Sequence, residues 1–172
     1  MAEYGDIMGG MLALRYVALL ALVVWVGGLI ALGGIAAPAI FAVVGAQQIA
    51  DGRLLAGATF GEILRRFTLV TYAAGILLLG TLLVRAILGP RPRRFAWRAA
   101  AATLMLAATA YAGNVVDGRI REVQRTMKVA PSSLPDSDLR RIEFGRLHGL
   151  STSLQFVPLL AGLALIYWEL KE

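Results

Sequence analysis

Residues 16 to 50 pass without a single charged side chain, and three further runs, 67–84, 99–116 and 149–168, do the same. About 20 apolar residues cross a hydrocarbon core of ~30 Å, within a range of about 17–25. Each run is long enough. In hydrocarbon a spanning segment must satisfy its own backbone amides, which makes such runs helices. Composition agrees: 58% of the 172 residues are hydrophobic, 16% are charged and mean hydropathy is +0.70. Soluble domains run at about 45–50% apolar and about 25% charged, and a core of this size cannot hide the surplus. The expected fold is an all-α integral membrane protein: a four-transmembrane-helix bundle with helices 3 and 4 extended beyond the bilayer on one side. It is read as a single domain over 1–172, with spans at about 12–44, 67–88, 97–116 and 147–168 and an extramembrane helical stalk at about 117–146.

The first run exceeds one simple crossing and contains Pro38. Proline removes a helix hydrogen bond and crowds the preceding turn, so a kink or break is expected near Ala37 and Pro38. Residues 39–48 then end helix one or lie at the interface. The opening carries Glu3 and Asp6 rather than a basic region, so it reads as a retained first span and not as a cleaved signal. Four crossings put both termini and the 85–98 loop on one side, A, and the 45–66 and 117–146 connections on the other, B. The expected location is a bacterial inner membrane with both termini cytoplasmic, on the strength of the acid-free basic loop at 89–94. A plain count opposes this, with ten basic residues on side B and seven on side A.

Net charge is +6, but fifteen of the seventeen cations are arginines, and they flank the apolar runs. That is how membrane proteins anchor helix ends and meet anionic headgroups; no motif for nucleic acid accompanies the charge. At the A end, Arg15, Arg85, Arg98, Tyr167 and Trp168 read as ordinary anchoring. On side B, charges of opposite sign recur three and four residues apart, as in Asp117/Arg121, Asp136/Arg140 and Glu143/Arg146, the spacing of pairs on one helix face. Asp136 or Ser137 is the expected N-cap of the fourth helix. Arg140 and Arg141 are candidate docking residues for a partner.

Lipid-embedded helices associate through small residues and a few polar contacts. Trp25, Gly27, Gly28 and Pro38 are therefore candidate packing positions within the bundle. His148, Ser151, Thr152 and Gln155 share a helix face by their i, i+3, i+4, i+7 spacing. Tyr111, Asn114, Asp117 and Arg121 do the same on helix 3, and Arg65 with Tyr72 reach the same level on helix 2. Arg65, Tyr72, Asn114, Asp117, His148, Ser151, Thr152 and Gln155 form the candidate polar pocket, open to side B; the A half shows no comparable set. Against this stands the bland alternative that polar residues collect wherever headgroups begin. With one histidine and no cysteine, His148 is the sole candidate metal ligand, and haem or copper would need ligands from a partner. No cofactor and no catalytic constellation is expected.

The segment Trp25-Val-Gly-Gly with Ala36-Ala-Pro-Ala-Ile-Phe41 resembles the first span of the transmembrane-protein-205-like family, whose bacterial members carry a domain of unknown function (4149). The segment from Phe144 to Gln155 is similar to that family's Leu-His…Ser…Asn stretch, with Gln155 standing in place of asparagine, and Asn114…Asp117 fits as well. There is also a distant likeness to copper-resistance D-type membrane proteins. The resemblance implies a four-span protein without an established reaction, and Trp25, Gly28, Pro38, Asn114, His148 and Ser151 as its positions of interest. Three functions remain open. The first is a non-enzymatic membrane protein acting by binding or association, as an accessory subunit that meets lipids, other membrane subunits or its own copies. The second is a small exporter or resistance protein for small or metal-containing compounds. The third is a haem- or metal-binding redox subunit using His148.

Overall fold

The computed structural model describes residues 2–46, 52–127 and 129–171; Gln48 and Lys128, which entered the reading above, lie outside them. Every long element among the described residues is an α-helix, and they assemble into four rods. The first joins α1 (Ala2–Ala31) to α2 (Ala37–Ala46) through a π-helical turn at Leu32–Ala36. The second is α3 (Gly52–Leu88). The third joins α4 (Phe95–Tyr111) to α5 (Asp117–Thr126) through a second π turn, Ala112–Val116, and the fourth is α6 (Leu139–Leu170). All four hold windows long and apolar enough to cross a membrane. The chain is a multi-pass membrane protein with a four-helix bundle.

The expected break at Pro38 is a change of register instead. Proline cannot donate to the carbonyl four residues back. The turn before it widens so that the Ala37 amide donates to Leu32, and the helix runs on to Ala46 without interruption. A π turn thus takes up the misfit at the place where a kink or break was expected, and the helix continues through it. The helix of the second rod begins at Gly52, well ahead of the span expected at 67–88. At 1.5 Å per residue its 37 residues reach about 55 Å, well beyond a ~30 Å core. The side B extension is thus shared by helix 2 as well as by helices 3 and 4.

The rods form a ring in which first packs on second, second on third, third on fourth and fourth on first. Its core is built from Ala18, Ala21, Leu22 and Trp25 of α1, Ala74 and Leu78 of α3, Ala102 and Met105 of α4 and Leu165 of α6. Alanine is its commonest residue, and close approach of backbones drives helix association in lipid. Gly28 lies against the Phe67 ring, Gly75 against Leu106, and Gly162 against Val26. Elsewhere the rods present Leu20, Val23, Ile76, Leu83, Leu104 and Leu160 outward. Only 22–33% of each apolar window is buried inside the chain, so the rest has to meet hydrocarbon.

Side B is closed by a short turn. Asp138, and neither Asp136 nor Ser137, is the N-cap of α6: its backbone is extended and its carboxylate accepts from the Arg140 amide at 2.9 Å. Arg140 also grips Asp138 through its guanidinium at 2.7 Å. Asp136 is left to Arg141, at 2.6 Å. Together the Arg140 guanidinium and amide hold the Asp138 carboxyl down at about 2, the normal effect of donors on a carboxylate. The pairing expected for Glu143 changes as well, while Asp117 keeps Arg121 within electrostatic reach. Glu143 takes Arg119 from across the stalk at 3.1 Å, and Arg119 also holds Glu122 at 2.8 Å.

Candidate functional site

The polar residues of side B fall into three groups. Asp117, at the first turn of α5, accepts a hydrogen bond from the Ser151 hydroxyl of α6 at 3.0 Å. Asp117 and Gln155 line a cavity of about 30 Å³ between the rods, with Trp25, Thr68, Thr71, Thr109, Gly113, Leu154 and Pro158 among its walls. Beside it, the Asn114 side-chain amide donates to the Tyr72 hydroxyl at 3.1 Å. Arg65 and Thr152 are engaged elsewhere, while His148 stays within electrostatic reach of Asp117. Arg65 makes a two-pronged clasp on Glu62 at 2.7 and 2.9 Å, exposed His148 stacks on Phe144, and Thr152 donates back to the His148 carbonyl.

The second π turn shifts the face that helical spacing assigns to the third rod. The Asn114 side chain donates to the Ala110 carbonyl at 3.0 Å, the acceptor that an α-register gives to the Asn114 amide, and polar side chains that compete for backbone in this way loosen the helix. The Asp117 amide then donates to Ala112, five residues back. A 3.6-residue projection across that turn is out of phase. Asp117 therefore points into the bundle while Tyr111 and Arg121 stay exposed.

Two features make the cavity chemically distinctive. Trp25 is 1% exposed, and its indole Nε1 has no hydrogen-bond partner. Buried indole N–H groups nearly always find an acceptor. On the opposite wall, Pro158 lies inside α6 and lacks the amide that would take the Leu154 carbonyl. A donor and an acceptor thus border a space the size of one water molecule, whose share of liquid volume is about 30 Å³.

The candidate packing residues divide too. Trp25 is core and Gly28 meets Phe67, but Gly27 has nothing within 4 Å of the place a Cβ would occupy, and Pro38 is exposed. Gly27 and Ala31, four apart in α1, are exposed, as are Gly33, Gly34 and Pro38 within and beyond the π turn that shifts their phase. The small-residue band of the first rod therefore lies on the outer surface, contrary to its expected place between the bundle's own helices. Arg140 and Arg141 are occupied within the chain, donating to the Thr126 carbonyl at 3.4 Å and the Leu134 carbonyl at 2.6 Å. Among the described residues no three His, Asp or Glu side chains gather as a metal site.

The largest correction concerns the A end, where no comparable polar set was expected. Glu169 in the last turn of α6 is 3% exposed and accepts from Arg85 of α3 at 2.9 and 3.0 Å and from Arg98 of α4 at 2.7 Å. Arg98 also donates to the Trp168 carbonyl, and Arg15 of α1 to the Glu169 carbonyl, each at 2.7 Å. Carbonyls left open at the end of α6 are thereby capped from two other rods. One carboxylate thus joins all four rods. The signal lay in the sequence: an acid in the final turn of a helix opposes the macrodipole, and alternating topology brings Arg15, Arg85 and Arg98 to its level. Above this knot Arg94, the N-cap of α4, has φ 57° and ψ 33°, a left-handed conformation that costs a non-glycine residue about 1–2 kcal/mol.

Comparison with known proteins adds one finding. Residues 20–129 match the family model described as Domain of unknown function (DUF4149). No curated protein matches the chain, and no solved structure does.

Proposed function

The chain belongs to the DUF4149 family, and from that premise we propose that it acts by binding and association, as a non-enzymatic accessory subunit of a membrane complex. The observation that supports this reading is that small residues of the first rod, Gly27 and Ala31 of α1 with Gly33 and Gly34 of the π turn, are exposed, with open space around the three glycines. Small residues that the bundle does not use to pack itself form a shallow groove in which another membrane helix can approach closely. The expected partners are lipids and other membrane subunits or further copies of the chain, with no nucleic acid and no resident cofactor. Both termini are placed in the cytoplasm of a bacterial inner membrane. The motif likeness to transmembrane-protein-205-like and copper-resistance D-type proteins belongs to this proposal as well.

The chain contains no cysteine, so an Ala31→Cys variant carries one reporter on that face. Cross-linking in native membranes should join it to a partner or a second copy, whereas a cysteine at outward-facing Leu83 stays unlinked. Equal labelling of the two positions without any adduct at Ala31 refutes the reading.

A second reading, a small exporter or resistance protein, is favoured by the unpartnered Trp25 indole in a cavity shared with Asp117 and Gln155. On this reading Trp25→Phe lowers export or tolerance while the fold persists, and undiminished tolerance counts against it. A redox subunit would use His148 together with ligands from a partner.

A further inference from the structure

We propose that the cavity between the rods is a specific site for one neutral hydroxyl group, supplied by water or by a small alcohol. The residue that points to a ligand is Trp25. It lines the cavity and is 1% exposed, and its Nε1 has no hydrogen-bond partner among the described residues. An indole N–H only donates. Whatever satisfies it must bring an acceptor of its own.

The rest of the wall asks for the opposite. Thr68 and Thr71 of α3 commit their hydroxyl hydrogens to their own helix, Thr68 to the Leu64 carbonyl at 3.0 Å and Thr71 to the Thr68 carbonyl at 2.8 Å. Their oxygens can then only accept. Asp117 accepts from Ser151 at 3.0 Å, which leaves most of the roughly four lone-pair positions of a carboxylate open. The Leu154 carbonyl lies four residues before Pro158, which has no amide to give it. All of these are wall residues. One donor from the first rod thus stands opposite acceptors from the other three.

This polarity selects the class of occupant. A metal or ammonium cation suits the acceptors but cannot accept from Trp25, and among the described residues no three His, Asp or Glu side chains gather as a metal site. An anion suits the indole but meets the Asp117 carboxylate and the threonine oxygens lone pair against lone pair. A neutral hydroxyl accepts and donates at once, and the Gln155 amide on the same wall can take either part. Size agrees. The cavity measures about 30 Å³, the share of one molecule in liquid water, and a small polar space with two to four partners is where an ordered hydroxyl lodges.

A hydroxyl held there joins α1 to α3, α5 and α6 through a single molecule. It gives the buried indole its acceptor in a region where the rods themselves provide none. The site stands whether or not a solute crosses the bundle, so the inference is independent of either reading of function. A solute that enters by this cavity has to displace the hydroxyl first.

The experiment is ultraviolet resonance Raman spectroscopy of the full chain carrying Trp97→Phe/Trp168→Phe, which leaves Trp25 as the single tryptophan, in a detergent without hydroxyl groups. The indole band that reports N–H hydrogen bonding should take its bonded position. If it does so in alcohol-free buffer the occupant is water; if it does so only on titration with methanol the occupant is an alcohol. Ala112→Val extends a buried wall residue into the cavity and should return the band to its free position, whereas Ala107→Val on an exposed face of α4 should leave it bonded. Circular dichroism checks that both variants fold. A second measurement needs no cavity variant: in nuclear magnetic resonance the Trp25 indole proton should give a cross-peak to water or to methanol. A free band in the parent with and without methanol overturns the proposal. So does a bonded band that persists in folded Ala112→Val, which assigns the acceptor to the protein, and so does the absence of both cross-peaks.

Discussion

Replacing Glu169 by glutamine is the sharpest perturbation of this bundle. The two side chains have nearly the same shape, so packing survives while the charge is lost. Glu169 is 4% exposed in its side chain and its partners Arg85 and Arg98 are 6% and 3% exposed, so solvent offers little screening. Their Nη1 atoms lie 2.9 and 2.7 Å from the same oxygen, and hence no more than about 5.6 Å from each other. Two unit charges at that separation repel by about 3 kcal/mol at an effective dielectric constant of ~20. Removing one member of a buried ion pair costs about 3–5 kcal/mol by experience, and the two routes agree. For a chain of this size each kcal/mol moves the melting temperature by roughly 2–4 °C, so Glu169→Gln should melt about 6–20 °C below the parent. Tryptophan fluorescence during heating in mild detergent reads this directly. Glu62→Gln, which breaks the exposed clasp on Arg65 and Arg66, serves as the control and should barely move. The apolar replacement Arg85→Met/Arg98→Met/Glu169→Leu should recover much of the loss, because no unpaired charge stays buried. If Glu169→Gln melts within a few degrees of the parent, or no lower than Glu62→Gln, the knot does not hold the rods together.

Other predictions follow from single contacts. Gly28→Ala drives a Cβ into the Phe67 ring and Gly162→Ala drives one into Val26; each should cost about 1–3 kcal/mol in thermal unfolding, while Gly27→Ala, with open space around it, should not. Ser151→Ala removes the donor that faces Asp117 at 3.0 Å and should cost about 1–3 kcal/mol, with Ser151→Thr restoring much of it. The Asp138 cap sets a pH dependence. Its carboxyl is held at about 2 in the fold against an ordinary value of 3.8, so its support of α6 is complete above the unfolded value and fades as pH falls through about 2. Hydrogen exchange at the Arg140 amide should accelerate between these values and should lose that dependence in Asp138→Asn.

Much of the architecture could be read from the chain because hydrophobic length is a strong signal. Four charge-free runs predicted four rods, and the dense side B charges predicted that two of them outrun the bilayer. What escaped depends on register and on shared partners. Pro38 announced a disturbance, yet whether a helix breaks or widens by one residue is decided by how its neighbours pack. The π turn at Asn114 had a subtler cause, a side-chain amide competing for a carbonyl, and it put Tyr111 and Asp117, drawn by helical spacing on one face of the third rod, out of phase. Ser151, Asp117, Gln155 and Trp25 came together, with His148 within electrostatic reach of Asp117, whereas Arg65 is taken up by Glu62. Asp138 rather than Asp136 capped α6 because one residue of offset changes which carboxylate meets the Arg140 amide. Glu169 was missed for another reason. Each residue of the knot has an ordinary explanation when taken singly, and the cluster emerges only when charges are followed across all four helices.

Isolation from native membranes in mild detergent, followed by the mass of the intact particle, tests the proposed role most directly. The account predicts an assembly well above one 18.4 kDa chain, containing other membrane proteins or further copies, that comes apart in a Gly27→Leu/Gly34→Leu variant whose melting is unchanged. A particle of a single chain with lipid and detergent alone, identical in the parent and in that variant, would contradict it.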